Sequence, residues 1–206
     1  MVAKMGLFDK LLGKQKDNKG NDDILAIIRK DASLAEKVGA LCNIDIYPSL
    51  QPPFAQVKLS IPGMAFGKEG GGGEYVFLED GSIGYVGAEG ECGRVAETLR
   101  DVFELELNCA YSWYNYAERK YMDAPETLAR DILKYEVEGR EQFADAYGDD
   151  MPDYDALRNE IAKTLNLKIS NDISTDILPS FFKSATREPL FFFTDDEGNR
   201  SYNLVR

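Results

Sequence analysis

Phe66-Gly67-Lys68-Glu69-Gly70-Gly71-Gly72-Gly73-Glu74-Tyr75-Val76-Phe77-Leu78-Glu79-Asp80-Gly81-Ser82-Ile83-Gly84-Tyr85-Val86 is the stretch that decides how this chain folds. Four consecutive glycines lead into Tyr75 to Leu78, a run apolar on both faces. A strand of that kind is central in its sheet, with something packed on each side. Asp80-Gly81 supplies the positive φ angles of a type I′ turn, so Ser82 to Val86 is predicted to pair back antiparallel. Val95, Leu99 and Val102 follow at i, i+4 and i+7 and are joined by Phe103. Arg94, Glu97, Arg100, Asp101 and Glu104 lie largely off that face, which predicts an amphipathic helix from about Gly93. A glycine loop, a buried hairpin and a helix laid over it read as an α+β fold with a mostly antiparallel sheet flanked by helices.

On the N-terminal side, Ala55, Val57, Leu59 and Ile61 alternate with polar residues, as in a half-buried strand. Pro62-Gly63 ends it, and Pro48, Pro52 and Pro53 are expected to stop regular structure before it. Ile24, Ile27 and Ile28, then Leu34, Val38 and Leu41, carry helical spacing, with a cap at Asp22 or Asp23 and a break near Asp31-Ala32-Ser33. Residues 1–22 read as a mobile basic arm, in which Lys4, Lys10, Lys14, Lys16 and Lys19 outnumber the acids. Residues 23–206 read as one domain.

On the C-terminal side, five aromatics crowd between Tyr111 and Tyr121. An acidic helical segment then runs over about 123–166. Between Asp123 and Glu160 twelve acidic residues face four basic ones, a net of −8. Pro125 suits the first turn of a helix whose core side would use Leu128, Ile132 and Leu133. Asp149-Asp150-Met151-Pro152 breaks it, and Leu157, Ile161 and Leu165 mark a second helix. Leu190 to Phe193, a turn over Thr194–Asn199, and Tyr202 with Leu204 predict a closing antiparallel hairpin.

Composition narrows the chemistry. The 206 residues hold 36 acidic and 24 basic side chains, a net charge of −12, and 44% are hydrophobic. Such a surface repels nucleic-acid backbone and anionic lipid and attracts basic proteins. There is no histidine, which removes the commonest general base and metal ligand. Cys42, Cys92 and Cys109 are odd in number, and no pair has Cys-x-x-Cys spacing. Reduced thiols in a cytoplasmic protein are the expectation, without a metal or other cofactor. No signal-peptide pattern or membrane-spanning apolar run is read, so stable membrane association is not expected.

The candidate constellations are weak as catalysts. Gly63-Met64-Ala65-Phe66-Gly67-Lys68-Glu69 misses a phosphate loop by one residue of spacing, and Glu69 stands where a magnesium-binding hydroxyl belongs. Gly81, Gly84, Gly87, Gly90 and Gly93 read as a turn, a closely packed strand and a loop. Glu89 and Glu91 would share a face if extended, as a glycosidase carboxylate pair must. Cys92 has no histidine to activate it. The aromatic cluster from Tyr111 suits core packing, or a protein-contact surface, because Tyr and Trp anchor interfaces.

The order of features resembles the SUKH superfamily, which includes bacterial immunity proteins and fungal cell-wall synthesis regulators. The resemblance rests on Gly71-Gly72-Gly73-Glu74-Tyr75-Val76-Phe77-Leu78 with Asp80-Gly81-Ser82-Ile83-Gly84. It continues through Ala96 to Leu105, Asn108-Cys109-Ala110-Tyr111-Ser112-Trp113, Pro189 to Phe193 and Tyr202 to Val205. It spans Ile24 to the end and is most specific over 70–113. The N-terminal part departs from the pattern: no leucine-rich helix leads to a Tyr-Asn-Gly step. Membership implies a SUKH-like α+β domain without catalysis, and in bacterial members an immunity protein that neutralises a toxin, often a nuclease. A basic toxin domain is then the expected partner, with Glu69, Glu74, Glu89 and Glu91 as acidic contacts and Tyr111, Trp113 and Tyr114 as anchors. The alternatives are a scaffold or regulator with a non-toxin partner and a carboxylate-dependent glycosidase.

Overall fold

The computed structural model describes residues 19–53, 57–110 and 112–206. Most of the expected N-terminal arm, together with Ala55 and Tyr111, lies outside the described residues. Helix α1 (Lys19–Lys30) is already formed at Asp22, upstream of the expected cap. It buries Ile24 and Ile28. Helix α2 (Ala32–Cys42) starts where Asp31 accepts from the Leu34 N–H at 3.1 Å, and it buries Leu34, Val38 and Cys42. The break expected at Asp31 is therefore a helix cap.

Six strands form the main sheet: β1 (Asp45–Gln51), β3 (Gly63–Lys68), β4 (Glu74–Leu78), β5 (Ile83–Val86), β6 (Glu91–Ala96) and β8 (Tyr202–Asn203). They lie in the order β1-β3-β4-β5-β6-β8. All neighbours are antiparallel except β6 and β8. The prolines do not abolish structure at Pro48. β1 is the edge strand, where a missing N–H costs no ladder bond, and its register shifts between Ile46 and Gln51. A second, two-stranded sheet pairs β2 (Val57–Leu59) with β7 (Phe193–Asp195).

The quoted stretch contains more strand than its pattern announces. Gly63 to Lys68 is strand β3, and the glycines form the tight turn joining it to β4. There the Gly72 N–H donates to the Glu69 carbonyl at 2.9 Å and the Glu69 N–H to the Gly73 carbonyl at 2.8 Å. The β4–β5 hairpin forms as expected, but over three residues. Gly81 alone in that turn takes positive φ, at 93°, while the Leu78 N–H donates to Ser82. That is a turn followed by a glycine bulge rather than type I′. The helix expected from Gly93 begins later. Glu91 to Ala96 is the buried strand β6, and helix α3 (Leu99–Asn108) opens with a capping box in which Thr98 and Asp101 each accept from the other's N–H.

β4 is central, as its two-faced apolar pattern requires. Alternation sends Tyr75 and Phe77 to one side, with Phe66, Ile83, Tyr85 and Val95, against the helices. Val76 and Leu78 go to the other side, with Ala65, Val86, Cys92, Phe191 and Phe193, under Val57 and Leu59 of the small sheet. The layers are thus helices, six-stranded sheet and a two-stranded cover. Two glycines of the every-third-residue series permit this closeness. A Cβ on Gly84 would lie 2.4 Å from the Phe191 ring, and one on Gly93 2.6 Å from Leu204.

The helical remainder comprises α4 (Lys120–Asp123), α5 (Pro125–Tyr147), α6 (Tyr154–Leu165), α7 (Ile173–Asp176) and α8 (Leu178–Ala185). Pro125 stands in the first turn of α5, and the chain breaks after Tyr147 as expected. Leu157, Ile161 and Leu165 of α6 are fully buried. Leu128 is buried too, but Leu133, expected on the core side, is 71% exposed. The C-terminal hairpin is only partly formed. The turn closes through Asp195 and Asn199, yet Tyr202 and Asn203 leave it to run parallel beside β6.

Candidate functional site

Strand alternation aims the Tyr75 hydroxyl at α3, where it donates to the buried Glu106 carboxyl. The Trp113 indole N–H donates to the same hydroxyl at 2.9 Å. Burial, foremost, pushes the Glu106 carboxyl up to about 8, against the opposing pull of the Tyr75 hydrogen bond. Beside it, the Tyr85 hydroxyl donates to Glu69 at 2.6 Å. Tyr85 reaches Glu69 because Gly73 has no side chain: a Cβ there would lie 2.1 Å from the Tyr85 hydroxyl. Glu69, Tyr75, Glu106 and Trp113 line a cavity of about 30 Å³. That admits a water but falls far below the ~300–1,000 Å³ of small-molecule sites.

The expected contact residues therefore separate. Trp113 is 2% exposed and packs edge-on against Tyr85 in the core, so as the structure stands it cannot anchor a partner. Glu74 is buried and accepts from the Tyr47 hydroxyl at 2.8 Å. Burial, then that carboxylate, pushes Tyr47 up to about 12. Glu91 is buried against Gly87, where a Cβ would lie 2.1 Å from its carboxyl carbon, and its Oε2 has no hydrogen-bond partner among the described residues. Glu69 is half-buried by its Tyr85 bond. Glu74 and Glu91 are both on strands covered on both faces, and Trp113 is in the aromatic core; of the two carboxylates only Glu74 has a donor there among the described residues.

What stays at the surface is a rim at the β6–β8 edge. Glu89 is exposed on the β5–β6 turn. Tyr202, 63% exposed, lies next to it, with its N–H donating to the Gly90 carbonyl at 2.8 Å. Tyr114 is half-buried and accepts from Arg206 Nη2 at 2.7 Å. The Arg206 guanidinium stands 5.8 Å from the Tyr114 ring and 5.9 Å from the Tyr202 ring. Burial first, then the Glu91 and Glu89 carboxylates, raise the Tyr114 hydroxyl despite Arg206. No local pattern announces Tyr202 or Arg206 here: the parallel β6–β8 pairing brings Tyr202 to the Glu89–Gly90 turn, and the Arg206 N–H, donating to the Ala117 carbonyl at 3.2 Å, sets Arg206 beside Tyr114.

Two further features bear on the chemistry. Arg94, 2% exposed in β6, donates to Asp80 Oδ2 at 2.8 Å, to the Pro189 carbonyl at 2.6 Å and to the Arg187 carbonyl at 3.0 Å. Arg187 in turn donates to Asp80 at 2.8 Å and to Glu97 at 2.7 Å. Burial opposes the Asp80 charge, but the Ser82 hydroxyl and Arg94 outweigh it and hold the carboxyl below its ordinary value. Glu97, Asp101, Glu104 and Asp176 line a pocket of about 120 Å³. Each of the four is engaged: Glu97 by Arg187, Asp101 in the helix cap, Glu104 by the Lys168 N–H, and Asp176 by Lys168 Nζ at 2.8 Å. Glu89 and Glu91 do not share an extended face, since Glu89 sits in a turn and Glu91 is buried. Among the described residues no trio of Cys, Asp or Glu is placed to hold a metal, and no helix is long and apolar enough to cross a membrane.

Comparison with protein-family models, curated proteins and solved structures returns no match to this chain.

Proposed function

We propose that this is a non-catalytic protein-binding domain, most concretely a cytoplasmic immunity protein that binds and neutralises a cognate bacterial toxin. The observation that carries the reading is the Glu89–Tyr114–Tyr202 rim, an exposed acid beside aromatic side chains on an acidic protein. Aromatic anchors with complementary charge are the surface a basic toxin domain, such as a nuclease, selects. The net charge of −12 disfavours direct contact with nucleic acid, and the missing histidine removes the commonest general base. Co-expression with the toxin encoded beside its gene tests the proposal. Restored survival and a recovered complex are expected; unchanged survival with no complex overturns it.

A scaffold or regulator with a non-toxin partner is the second reading. It is favoured by the exposed Leu133 and Val137 on α5, which a charge-dominated toxin contact does not need. A pull-down that returns one housekeeping protein in place of a toxin selects it.

A further inference from the structure

Residues four apart on a helix form one ridge. On α5 such a row runs Ala129, Leu133, Val137, Glu141, Asp145. All five are exposed, Leu133 by 71% and Val137 by 57%. The inward side of α5, with Leu128, Ile132, Tyr135 and Phe143, already holds the helix to the core. Leu133 and Val137 are therefore surplus to the fold.

The charges along the helix are not evenly matched. Asp131 is engaged by Arg130 at 2.9 Å, Glu138 by Lys134 at 3.6 Å and Glu136 by Arg140 at 3.8 Å. Glu141 and Asp145 enter no ion pair among the described residues. The row thus presents Ala129 and two large apolar side chains followed by two carboxylates outside any ion pair among the described residues, and no cation.

We propose that this row docks a cationic amphipathic helix of another protein. Its apolar residues lie on Leu133 and Val137, and its lysines or arginines reach Glu141 and Asp145. Ridge-into-groove packing supplies the geometry, and the apolar-then-acidic order sets the direction of the incoming helix. A second copy of this chain fits worse, because its own row brings two more carboxylates and no cation. The proposal uses none of the rim residues and stands whether or not the rim binds a toxin.

The probe is a synthetic helical peptide with leucines at i and i+4 and lysines one and two turns later, titrated into the full chain and read by fluorescence anisotropy. A scrambled peptide of identical composition is the control. The amphipathic peptide is expected to bind about tenfold tighter than the scrambled one. Leu133→Ser with Val137→Ser is expected to erase that preference, and Glu141→Lys with Asp145→Lys to weaken binding and flatten its salt dependence, with circular dichroism unchanged. Equal affinity for the two peptides, no binding of either, or an unaltered preference in the Leu133→Ser/Val137→Ser protein overturns the proposal. It is also overturned if sedimentation shows a dimer that these substitutions dissociate, or if the peptide binds only after removal of residues 1–18.

Discussion

The Trp113 indole N–H donates to the Tyr75 hydroxyl across 2.9 Å, and that hydroxyl donates onward to Glu106. The first bond ties the chain's single tryptophan into the core, and the pair of bonds sets a donor on a buried acid whose proton is held by burial.

Stability is expected to fall as pH rises through neutrality. Glu106 has an ordinary value of 4.5 and is held at about 8 in the folded state. The folded protein therefore binds a proton that the unfolded chain releases between those values. The contribution is fully present below about 4.5 and lost as pH climbs through about 8, and is on the order of several kcal/mol. Urea unfolding at pH 5 and pH 8.5 measures it. Glu106→Gln, which stays neutral, is expected to show a clearly smaller loss; an identical loss refutes the assignment.

Arg94→Ala is expected to cost about 2–3 kcal/mol, because it removes the buried guanidinium that binds Asp80 and frees the part-buried Arg187 and Pro189 carbonyls, while Asp80 keeps Arg187 and Ser82. Arg187→Ala removes a half-exposed partner of the same carboxylate and is expected to cost about 1 kcal/mol. Chemical denaturation of both variants checks the ranking, and a reversed order would show that Arg187 is the principal clamp.

Gly73→Ala places a methyl group on the Tyr85 hydroxyl and is expected to destabilise by roughly 1–3 kcal/mol. Gly81→Ala meets open space and is strained only by its positive φ, so its cost is about 1 kcal/mol. Thermal melts that fail to separate the two would place the glycine requirement in backbone angle alone.

At the rim, Glu89→Lys is expected to leave stability within about 0.5 kcal/mol of the parent while slowing association with a basic partner and weakening its salt dependence. Trp113→Ala is expected to lose about 3–5 kcal/mol of stability. Stopped-flow association and urea melts on both proteins distinguish contact from core. Strong unfolding by Glu89→Lys would remove it from the surface.

Local signals were legible in the sequence where they were strong. The two-faced run Tyr75–Leu78, Asp31 as a cap, Pro125 at a helix start and the Leu157–Ile161–Leu165 spacing each specify structure within a few residues. Strand β6 was hidden because Val95, Leu99 and Val102 have helical spacing by coincidence, and because Glu91 and Arg94 look solvent-facing. Asp80 and Ser82 of the preceding hairpin, with the 187–189 segment far off in sequence, make Arg94 a core residue. The site suffered in the same way. Trp113 opens a single 3-10 turn, Trp113–Tyr116, too short for a periodicity that declares a face, and Tyr202 reaches the Glu89 turn only through a non-local pairing. The exposed Leu133 broke the opposite expectation, since an apolar residue at helical spacing need not face its own core.

The parallel pairing of residue 92 with residue 203 also has a consequence for synthesis. β6 leaves the ribosome well before its neighbour β8 exists, about 5–20 s earlier at ~5–20 residues per second. During that interval one side of the sheet is open to other nascent chains. Glu91 and Arg94 lie on that strand, and charged side chains on an unpaired edge disfavour its pairing with another chain.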